Sequence, residues 1–310
     1  MAKYLVTGGA GFIGSNIVER LVQDGKDVRV LDDLSTGFEK NLTPFMDKID
    51  FRKGDIRVAE DAEDAMKGVD YVIHQAAIRS VPKSVDDPFT CNDVNITGTL
   101  NVLMKAKEAG VKRLVYASSS SAYGDCDVFP QKETFFPNPI SPYAVSKLAA
   151  EYYCRMFTAT FGLETVSLRY FNVYGPRQNP ESKYSAVIPA FLSMLAQDKP
   201  CAIDGDGKQA RDFTYVGNVV DANIAACTAE GAAGMVINVA CGEEYSVVDV
   251  AEGLKKIMGK NIDSVHGPKR PGDVEKTNAD ITRLREMLKI EPRVKFYDGL
   301  EKTVEWFLNK

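Results

Sequence analysis

The sequence predicts an α/β fold in which helices cover both faces of a doubly wound parallel sheet. Two observations support this prediction. Short apolar runs alternate with amphipathic stretches through the first half of the chain, and a glycine-rich turn connects the first apolar run to the first helical stretch. The runs that predict strands are residues 4–6, 28–31, 49–51, 69–73, 114–116 and 165–168. The predicted helices are residues 13–22, 96–109 and 143–161, and the last two end at Gly110 and Gly162.

The pattern changes after about residue 175, where Gly, Asp and Pro cluster at 204–207 and 268–273. Helices are predicted at 216–229, 247–258 and 298–308, and residues 236–239 can add a further strand to the main sheet. We therefore expect a larger N-terminal domain (1–175) and a smaller C-terminal α/β region (176–310) that binds the substrate. The two are intertwined, and the boundary between them is soft.

Composition narrows the classes of function. Of the 310 residues, 45% are hydrophobic, so a sizeable core can form, and the formal net charge of −5 gives no general attraction for nucleic acid or an anionic membrane. The six cysteines form no C-x-x-C pair and only two histidines accompany them, so we expect neither a metal site nor a disulfide framework. The N-terminus shows no signal-peptide pattern and no apolar run is long enough to cross a bilayer. Reduced thiols favour a cytoplasmic location.

The glycine-rich turn predicts a dinucleotide site of the Rossmann type. Gly8, Gly11 and Gly14 follow the first strand and open the first helix, where a tight turn needs positive φ and the helix N-terminus supplies N–H groups to a pyrophosphate. Asp32 ends the second strand, and a carboxylate there accepts from both ribose hydroxyls and repels a 2′-phosphate. The turn holds no Lys or Arg, so the predicted cofactor is NAD rather than NADP.

Further cofactor contacts are expected where the strands end. Asp55 and Ile56 are placed to meet an adenine edge, and small residues after the fourth strand would lie against the cofactor. His74 is interpreted as a packed structural histidine. The remaining predicted cofactor contacts are Phe12, Ile13, Asp33, Ser35, Thr36, Gly37, Gln75, Ala76, Ala77, Tyr143, Lys147, Tyr170 and Val173.

A tyrosine and a lysine four residues apart provide the candidate chemistry. Tyr143 and Lys147 would share one face of a helix, and an ammonium close to a phenol favours the phenolate and lowers the pKa of the tyrosine. Tyr143 would then accept a proton from a sugar hydroxyl while a hydride leaves the same carbon. Such pairs are common by chance, but here the pair follows a run of four serines after the fifth strand, where a hydroxyl can hydrogen-bond the reacting oxygen.

Four motifs together, TGGAGFIG, SSSSAYG, SPYAVSK and RYFNVYGPRQ, resemble the extended short-chain dehydrogenase/reductase family over essentially the whole chain. Within it, the chain is most similar to the UDP-glucose and UDP-N-acetylglucosamine 4-epimerases. The resemblance implies that Ser119 is the catalytic hydroxyl, Tyr143 the base, Lys147 its partner and Asn172 a substrate contact. It also implies that hydride passes to tightly bound NAD and returns to the other face of a 4-keto sugar.

The same family includes 4,6-dehydratases and decarboxylases, which carry an acidic residue just after the catalytic hydroxyl. The residues at those positions are Ser120 and Ser121, which favours epimerisation. Two alternatives stay open: another NAD-dependent nucleotide-sugar modifier of these two kinds, and a non-enzymatic NAD-binding scaffold. The intact Ser119, Tyr143 and Lys147 argue against the scaffold.

The resemblance also implies the substrate contacts. Arg211 and Arg270 match the arginines that hold the diphosphate and nucleotide, for which a guanidinium fork is suited. Val187 and Ile188 lie in a segment that resembles the uracil cradle. The other predicted contacts are Arg79, Ser80, Ser119, Ser120, Ser121, Tyr143, Asn172, Asp273 and Thr277. Thr277 takes a position that is a bulky tyrosine in epimerases restricted to plain hexoses, so N-acetyl sugars should fit. A homodimer is expected, and the physiological sugar stays open.

Overall fold

The computed structural model describes residues 2–179, 186–269 and 274–309. A seven-stranded sheet forms its centre, and every neighbouring pair of strands in it is parallel. The strands are β1 (Lys3–Thr7), β2 (Asp27–Asp32), β3 (Ile49–Lys53), β4 (Tyr71–His74), β5 (Arg113–Ser119), β6 (Glu164–Tyr170) and β11 (Val236–Val239). Their order across the sheet is β11-β6-β5-β4-β1-β2-β3, which confirms the predicted doubly wound fold.

Helices cover both faces of this sheet, as the alternating pattern predicted. In the first half they are α1 (Phe12–Gln23), α2 (Ala59–Met66), α3 (Val81–Asp86), α4 (Pro88–Asn92), α5 (Thr99–Glu108) and α6 (Pro142–Met156). A π-helical turn, Asp93–Gly98, joins α4 to α5, and another, Phe157–Phe161, extends α6. Gly110 (φ 70°) follows the end of α5 and Gly162 (φ 74°) follows the extension of α6, and both adopt the left-handed conformation that ends a helix, as predicted.

The second half adds shorter elements around α7 (Val187–Ala196), α8 (Val216–Ala226), α9 (Val247–Met258), α10 (Thr282–Leu288) and α11 (Phe296–Leu308). Ser246 caps α9 in a capping box with Asp249. Three two-stranded pairings complete the described part of the chain. They join β7 (Val173–Tyr174) to β10 (Thr214–Tyr215), β8 (Ala202–Asp204) to β13 (Val265–Gly267), and β9 (Ala210–Arg211) to β12 (Tyr245–Ser246).

Three apolar clusters hold these layers together. One contains Val6, Ile17 and Val219 and lies between the sheet and helices α1 and α8, while another contains Leu5, Val102 and Phe157 on the opposite face. The third fills the C-terminal region around Phe191, Leu254 and Leu300 of α7, α9 and α11. Strand β11 lies beyond residue 175 yet pairs with β6, so the N-terminal domain and the C-terminal region both contribute strands to the main sheet.

No helix in the described ranges is both long and apolar enough to span a bilayer.

Candidate active site

The glycine turn lies at the carboxyl edge of the sheet and is packed too tightly for side chains. Gly8 has φ 67°, and a Cβ there would lie 2.6 Å from the backbone nitrogen of Ala76. A Cβ on Gly14 would overlap the carbonyl oxygen of Gly8. Helix α1 begins beside them with no side-chain cap, so the N–H groups of its first turn are available to an anionic ligand. The turn is therefore a cradle for an anionic diphosphate.

Asp32 is buried at the end of β2 and already fixed in place. Its Oδ2 accepts the N–H of Ala10 at 2.9 Å, and its Oδ1 accepts the N–H of Leu34 at 2.8 Å. Burial raises the pKa of this carboxyl, and the two N–H bonds oppose that rise. Each oxygen keeps a further lone pair, so the carboxylate can still accept from ribose hydroxyls.

Around this turn lies the first pocket, which is lined by nearly all the predicted cofactor contacts. They are Gly8, Gly11, Phe12, Ile13, Gly14, Asp32, Asp33, Ser35, Thr36, Gly37, Asp55, Ile56, Gln75, Ala76, Ala77, Tyr143, Lys147 and Tyr170. Val173 is the exception, because it lies in β7 and lines a second pocket instead. The sequence did not indicate Leu31, Gly54, Ile78, Val94, Ala117 and Ser118, which also line the first pocket.

Two predicted residues at this edge are engaged within the chain. Asp55 binds the Arg57 guanidinium through Nε at 2.9 Å and Nη2 at 2.6 Å, and this contact lowers the pKa of the carboxyl. His74 lies between Thr7 Oγ1 (2.6 Å) and Thr99 Oγ1 (3.0 Å) and is fully buried. Burial lowers its pKa to about 3, so the ring is neutral at ordinary pH. His74 is therefore packed between two threonines, as the interpretation of a structural residue requires.

Helix α6 brings the catalytic candidates to the pocket. Ser141 caps its first turn by accepting the N–H of Ala144, and Pro142 occupies the first helical position. The Tyr143 hydroxyl hydrogen-bonds Ser119 at the end of β5. Ser121 donates to the same Ser119 oxygen at 2.9 Å, so the serine run orients the hydroxyl beside the tyrosine.

The electrostatics of Tyr143 differ from the sequence-based expectation. Burial raises its pKa, while the hydrogen bond from Ser119 and the charge of Arg79 lower it in part. Lys147 donates instead to the carbonyl oxygen of Ala117 at 2.8 Å, and its Nζ lies 5.0 Å from the centroid of the Tyr116 ring. Burial lowers the pKa of Lys147 to about 8. The expectation overlooked burial, which acts on both groups more strongly than their mutual proximity.

One turn further along α6, Glu151 forms a buried ion pair that sequence reasoning missed. Arg169 of β6 donates from Nη2 to Oε1 at 2.7 Å and from Nε to Oε2 at 3.0 Å. Ser118 donates to the same Oε2 at 2.8 Å. Because Ser118 and Ser119 are successive residues of β5, one serine anchors the ion pair and the other reaches Tyr143.

The second pocket lies between β7, α7 and β9. Four predicted substrate contacts line it, namely Asn172, Val187, Ile188 and Arg211, together with Tyr174, Phe191, Asp204, Gln209 and Phe213. Asn172 has φ 28°, a left-handed conformation that points to a constrained role. Its Oδ1 accepts the hydroxyl of Thr277 at 3.3 Å.

The other predicted substrate residues are distributed around these pockets. Arg79 lines the first pocket near Tyr143. Ser80 accepts the N–H of Lys83 as the cap of α3, and Ser120 opens the short 3-10 helix Ser120–Tyr123. Arg270 and Asp273 lie outside the described residues. Within the described ranges, no group of three or more His, Cys, Asp or Glu could hold a metal ion.

Comparison with known proteins agrees with this geometry. Residues 4–240 match the model of the NAD dependent epimerase/dehydratase family. The chain belongs to this family. A UDP-glucose 4-epimerase from Mycolicibacterium smegmatis is 39% identical over 313 residues, 99% of each chain. A putative UDP-glucose 4-epimerase from Methanocaldococcus jannaschii is 37% identical over 98% of each chain.

Among solved structures, a UDP-N-acetylglucosamine 4-epimerase from Methanobrevibacter ruminantium, in complex with UDP-N-acetylmuramic acid, has a TM-score of 0.95. It is 39% identical and covers 99% of this chain and 98% of its own. The relatives also include a UDP-N-acetyl-alpha-D-glucosaminuronate decarboxylase from Bacillus cytotoxicus, 32% identical over 98% of this chain and 97% of its own. The family therefore joins several nucleotide-sugar reactions on one scaffold.

NAD, the cofactor of this family, fits the first pocket of this enzyme. The glycine cradle excludes side chains where a diphosphate must approach, and the buried Asp32 suits a free ribose rather than a 2′-phosphate. Tyr143 and Lys147 line the opposite part of the same pocket. When bound, NAD supplies the acceptor and later the donor of a hydride.

Proposed function

We propose that the protein is a UDP-hexose 4-epimerase that interconverts UDP-glucose and UDP-galactose through a 4-keto sugar, with NAD held throughout turnover. The observation that carries the proposal is the hydrogen bond between Ser119 and Tyr143, followed in the chain by Ser120 and Ser121. The site thus offers one base and its orienting hydroxyl. It offers no acid at the positions where elimination or decarboxylation in this family employs one.

In this mechanism Tyr143 acts on the 4-hydroxyl of the sugar. Its oxygen takes the hydroxyl proton as the C4–H bond breaks, and Ser119 donates a hydrogen bond to the reacting oxygen. The proton stays on Tyr143 until the ketone is reduced from its other face, when the same oxygen returns it. Proton and hydride are both restored, so the protein needs no external oxidant.

The test is product analysis after incubation with UDP-galactose, without added NAD. A 4-epimer as the product supports the proposal, whereas a 4-keto-6-deoxy sugar or no turnover contradicts it. A decarboxylase would instead release CO₂ from a UDP-uronic acid. Tyr143→Phe should abolish turnover while NAD still copurifies, and retained turnover would remove Tyr143 from the mechanism.

We further propose that the enzyme accepts the N-acetylated sugars UDP-GlcNAc and UDP-GalNAc. Thr277 is smaller than the tyrosine that closes this position in epimerases of plain hexoses, and its contact with Asn172 places it beside the second pocket. Thr277→Tyr should lower kcat/KM for the N-acetyl pair much more than for the plain pair. Equal effects on the two pairs would contradict the gate. Thr277→Val, which loses the hydroxyl but adds little bulk, separates the loss of the Asn172 contact from the size effect.

A homodimer is proposed from an exposed apolar surface on three neighbouring helices. Val85 of α3, Phe89 of α4, and Val145 and Tyr152 of α6 form this surface, and Phe89 is 86% exposed. Sedimentation velocity should show a dimer that Phe89→Glu dissociates. Phe136→Glu, at an equally exposed phenylalanine of the loop before α6, is the control and should leave the dimer intact. The six free cysteines also favour a reducing, cytoplasmic location.

A further inference from the structure

The buried Tyr116 lies directly beside the catalytic lysine without lining either pocket. It occupies the middle of β5, is 1% exposed, and its ring centroid is 5.0 Å from the Nζ of Lys147. Lys147 is itself only 4% exposed. Neither the motifs nor the mechanism above gives Tyr116 a role.

The environment of Lys147 provides little else to hold a positive charge. Its ammonium donates a hydrogen bond to the carbonyl oxygen of Ala117, and burial disfavours the charged form. The Tyr116 hydroxyl is buried and, among the described residues, has no hydrogen-bond partner. The contact between Tyr116 and Lys147 is therefore made by the ring and not by the hydroxyl oxygen. An aromatic face within 6 Å attracts a cation most strongly where water is excluded.

We propose that Tyr116 is a positioning residue whose ring face holds the Lys147 side chain charged and aimed at the cofactor pocket. The catalytic helix supplies the lysine, and the sheet supplies the aromatic face beneath it. This inference rests on the proposed function only for its activity measurement, because the charge state of Lys147 is a property of the fold whatever the sugar.

Several other titratable groups surround Lys147. His74 of β4 is neutral above about pH 4 because its pKa is lowered to about 3. Burial raises the pKa of the Cys154 thiol, so it stays uncharged. Glu151 is held by Arg169. The remaining neighbours are Cys91 of α4 and Tyr143 of α6. The ring over which the Lys147 Nζ lies is that of Tyr116.

The direct test measures the pKa of Lys147 in the NAD-bound enzyme. The ¹³Cε resonances of labelled lysines are followed with pH, and Lys147→Arg identifies the resonance of Lys147. Tyr116→Leu should lower this pKa by about one unit, the size expected for loss of a desolvated cation–π contact. Tyr116→Phe keeps the ring and should keep the pKa.

A second series avoids the cavity that leucine creates. Phenylalanine with increasing fluorination at position 116 keeps the shape of the ring while weakening its negative face. The pKa of Lys147 should fall stepwise along the series. Phe157→Leu, a buried aromatic in the same apolar cluster, is the matched control and should cost stability without moving this pKa.

The pH dependence of kcat provides a second test that is independent of the NMR titration. The basic limb of the pH profile of kcat should move to lower pH in Tyr116→Leu by the same amount, while KM changes little because Tyr116 lies outside both pockets described. An unchanged pKa of Lys147 across the fluorinated series would overturn the inference. So would an equal shift in Tyr116→Phe and Tyr116→Leu, since the hydroxyl would then be responsible. Absence of epimerase activity in the wild type would instead contradict the proposed function and leave the NMR result intact.

Discussion

Removing one partner of the ion pair between Glu151 and Arg169 should strongly destabilise the packing of helix α6 against the sheet. Both side chains are almost fully buried, at 3% and 2% exposure, and three hydrogen bonds end on the carboxylate. Glu151→Gln keeps the shape of the side chain but leaves the guanidinium of Arg169 without a counter-charge in the core. The perturbation therefore isolates the charge.

The magnitude follows from burial. Removing one partner of a buried pair costs about 3–5 kcal/mol, because the remaining charge is desolvated without compensation. Solvent screening gives little relief at this depth. The exposed pair between Arg285 and Glu291, each side chain more than half exposed, provides the comparison. Glu291→Gln should leave the urea unfolding midpoint almost unchanged, because exposed ion pairs are screened by solvent.

The assay is urea unfolding at a fixed NAD concentration, since bound ligand adds its own stabilisation. Glu151→Gln should lower the unfolding midpoint with an unchanged slope. The double variant Glu151→Leu with Arg169→Met removes both charges and should cost less than Glu151→Gln alone. If the double variant costs more than Glu151→Gln, or if that single change costs under about 1 kcal/mol, the reasoning fails.

Three further outcomes are expected. Gly14→Ala should abolish NAD copurification, because its Cβ overlaps the Gly8 carbonyl, whereas Gly25→Ala in open space should cost about 1–2 kcal/mol and retain NAD. Ser119→Ala removes a hydrogen bond that lowers the pKa of Tyr143, so the acid limb of kcat should move to higher pH, and an unmoved limb would contradict this role. Burial lowers the pKa of His74 from 6.5 to about 3, so its contribution to stability is complete above pH 6.5 and is lost as the pH falls, at up to about 1.4 kcal/mol per pH unit. His74→Gln should reduce this dependence of the unfolding free energy on pH, measured by urea titrations between pH 5 and 6.5.

The sequence predicted the sheet and the first pocket well, because the position of a residue at the end of a strand determines where it lies in the fold. Strands of a parallel sheet end at one edge, so the residues after β1, β2 and β4 could be assigned to one pocket once the glycine-rich turn had marked it. The parallel sheet followed from the alternating pattern, and β11 joined it as its apolar run allowed, whereas the order of the strands is known only from the structure. Local chemistry and topology agree in these elements.

Side-chain partners distant in the sequence could not be predicted in the same way. Arg169 lies in an apolar strand pattern, where a buried arginine is unexpected, and only the fold shows that Glu151 faces it. Asn95 is similar: it accepts the N–H of Ile78 at 2.8 Å and donates to Ser146 at 2.9 Å, which ties the loop after β4 to helix α6. A polar residue inside an apolar pattern was the available signal, but it does not identify its partner.

Burial also changes what the spacing on α6 means. Tyr143, Lys147 and Glu151 follow one another at intervals of four residues, so one helical face carries a base, a cation and an anion. Burial raises the pKa of Tyr143 and lowers that of Lys147 to about 8, so in the chain alone the lysine loses its proton at a lower pH than the tyrosine. The spacing therefore brings base and cation together without itself producing a phenolate. The charge of Arg79 at the pocket wall lowers the pKa of Tyr143 only in part. Bound NAD would add the positive charge of its oxidised nicotinamide ring, which would favour the phenolate further.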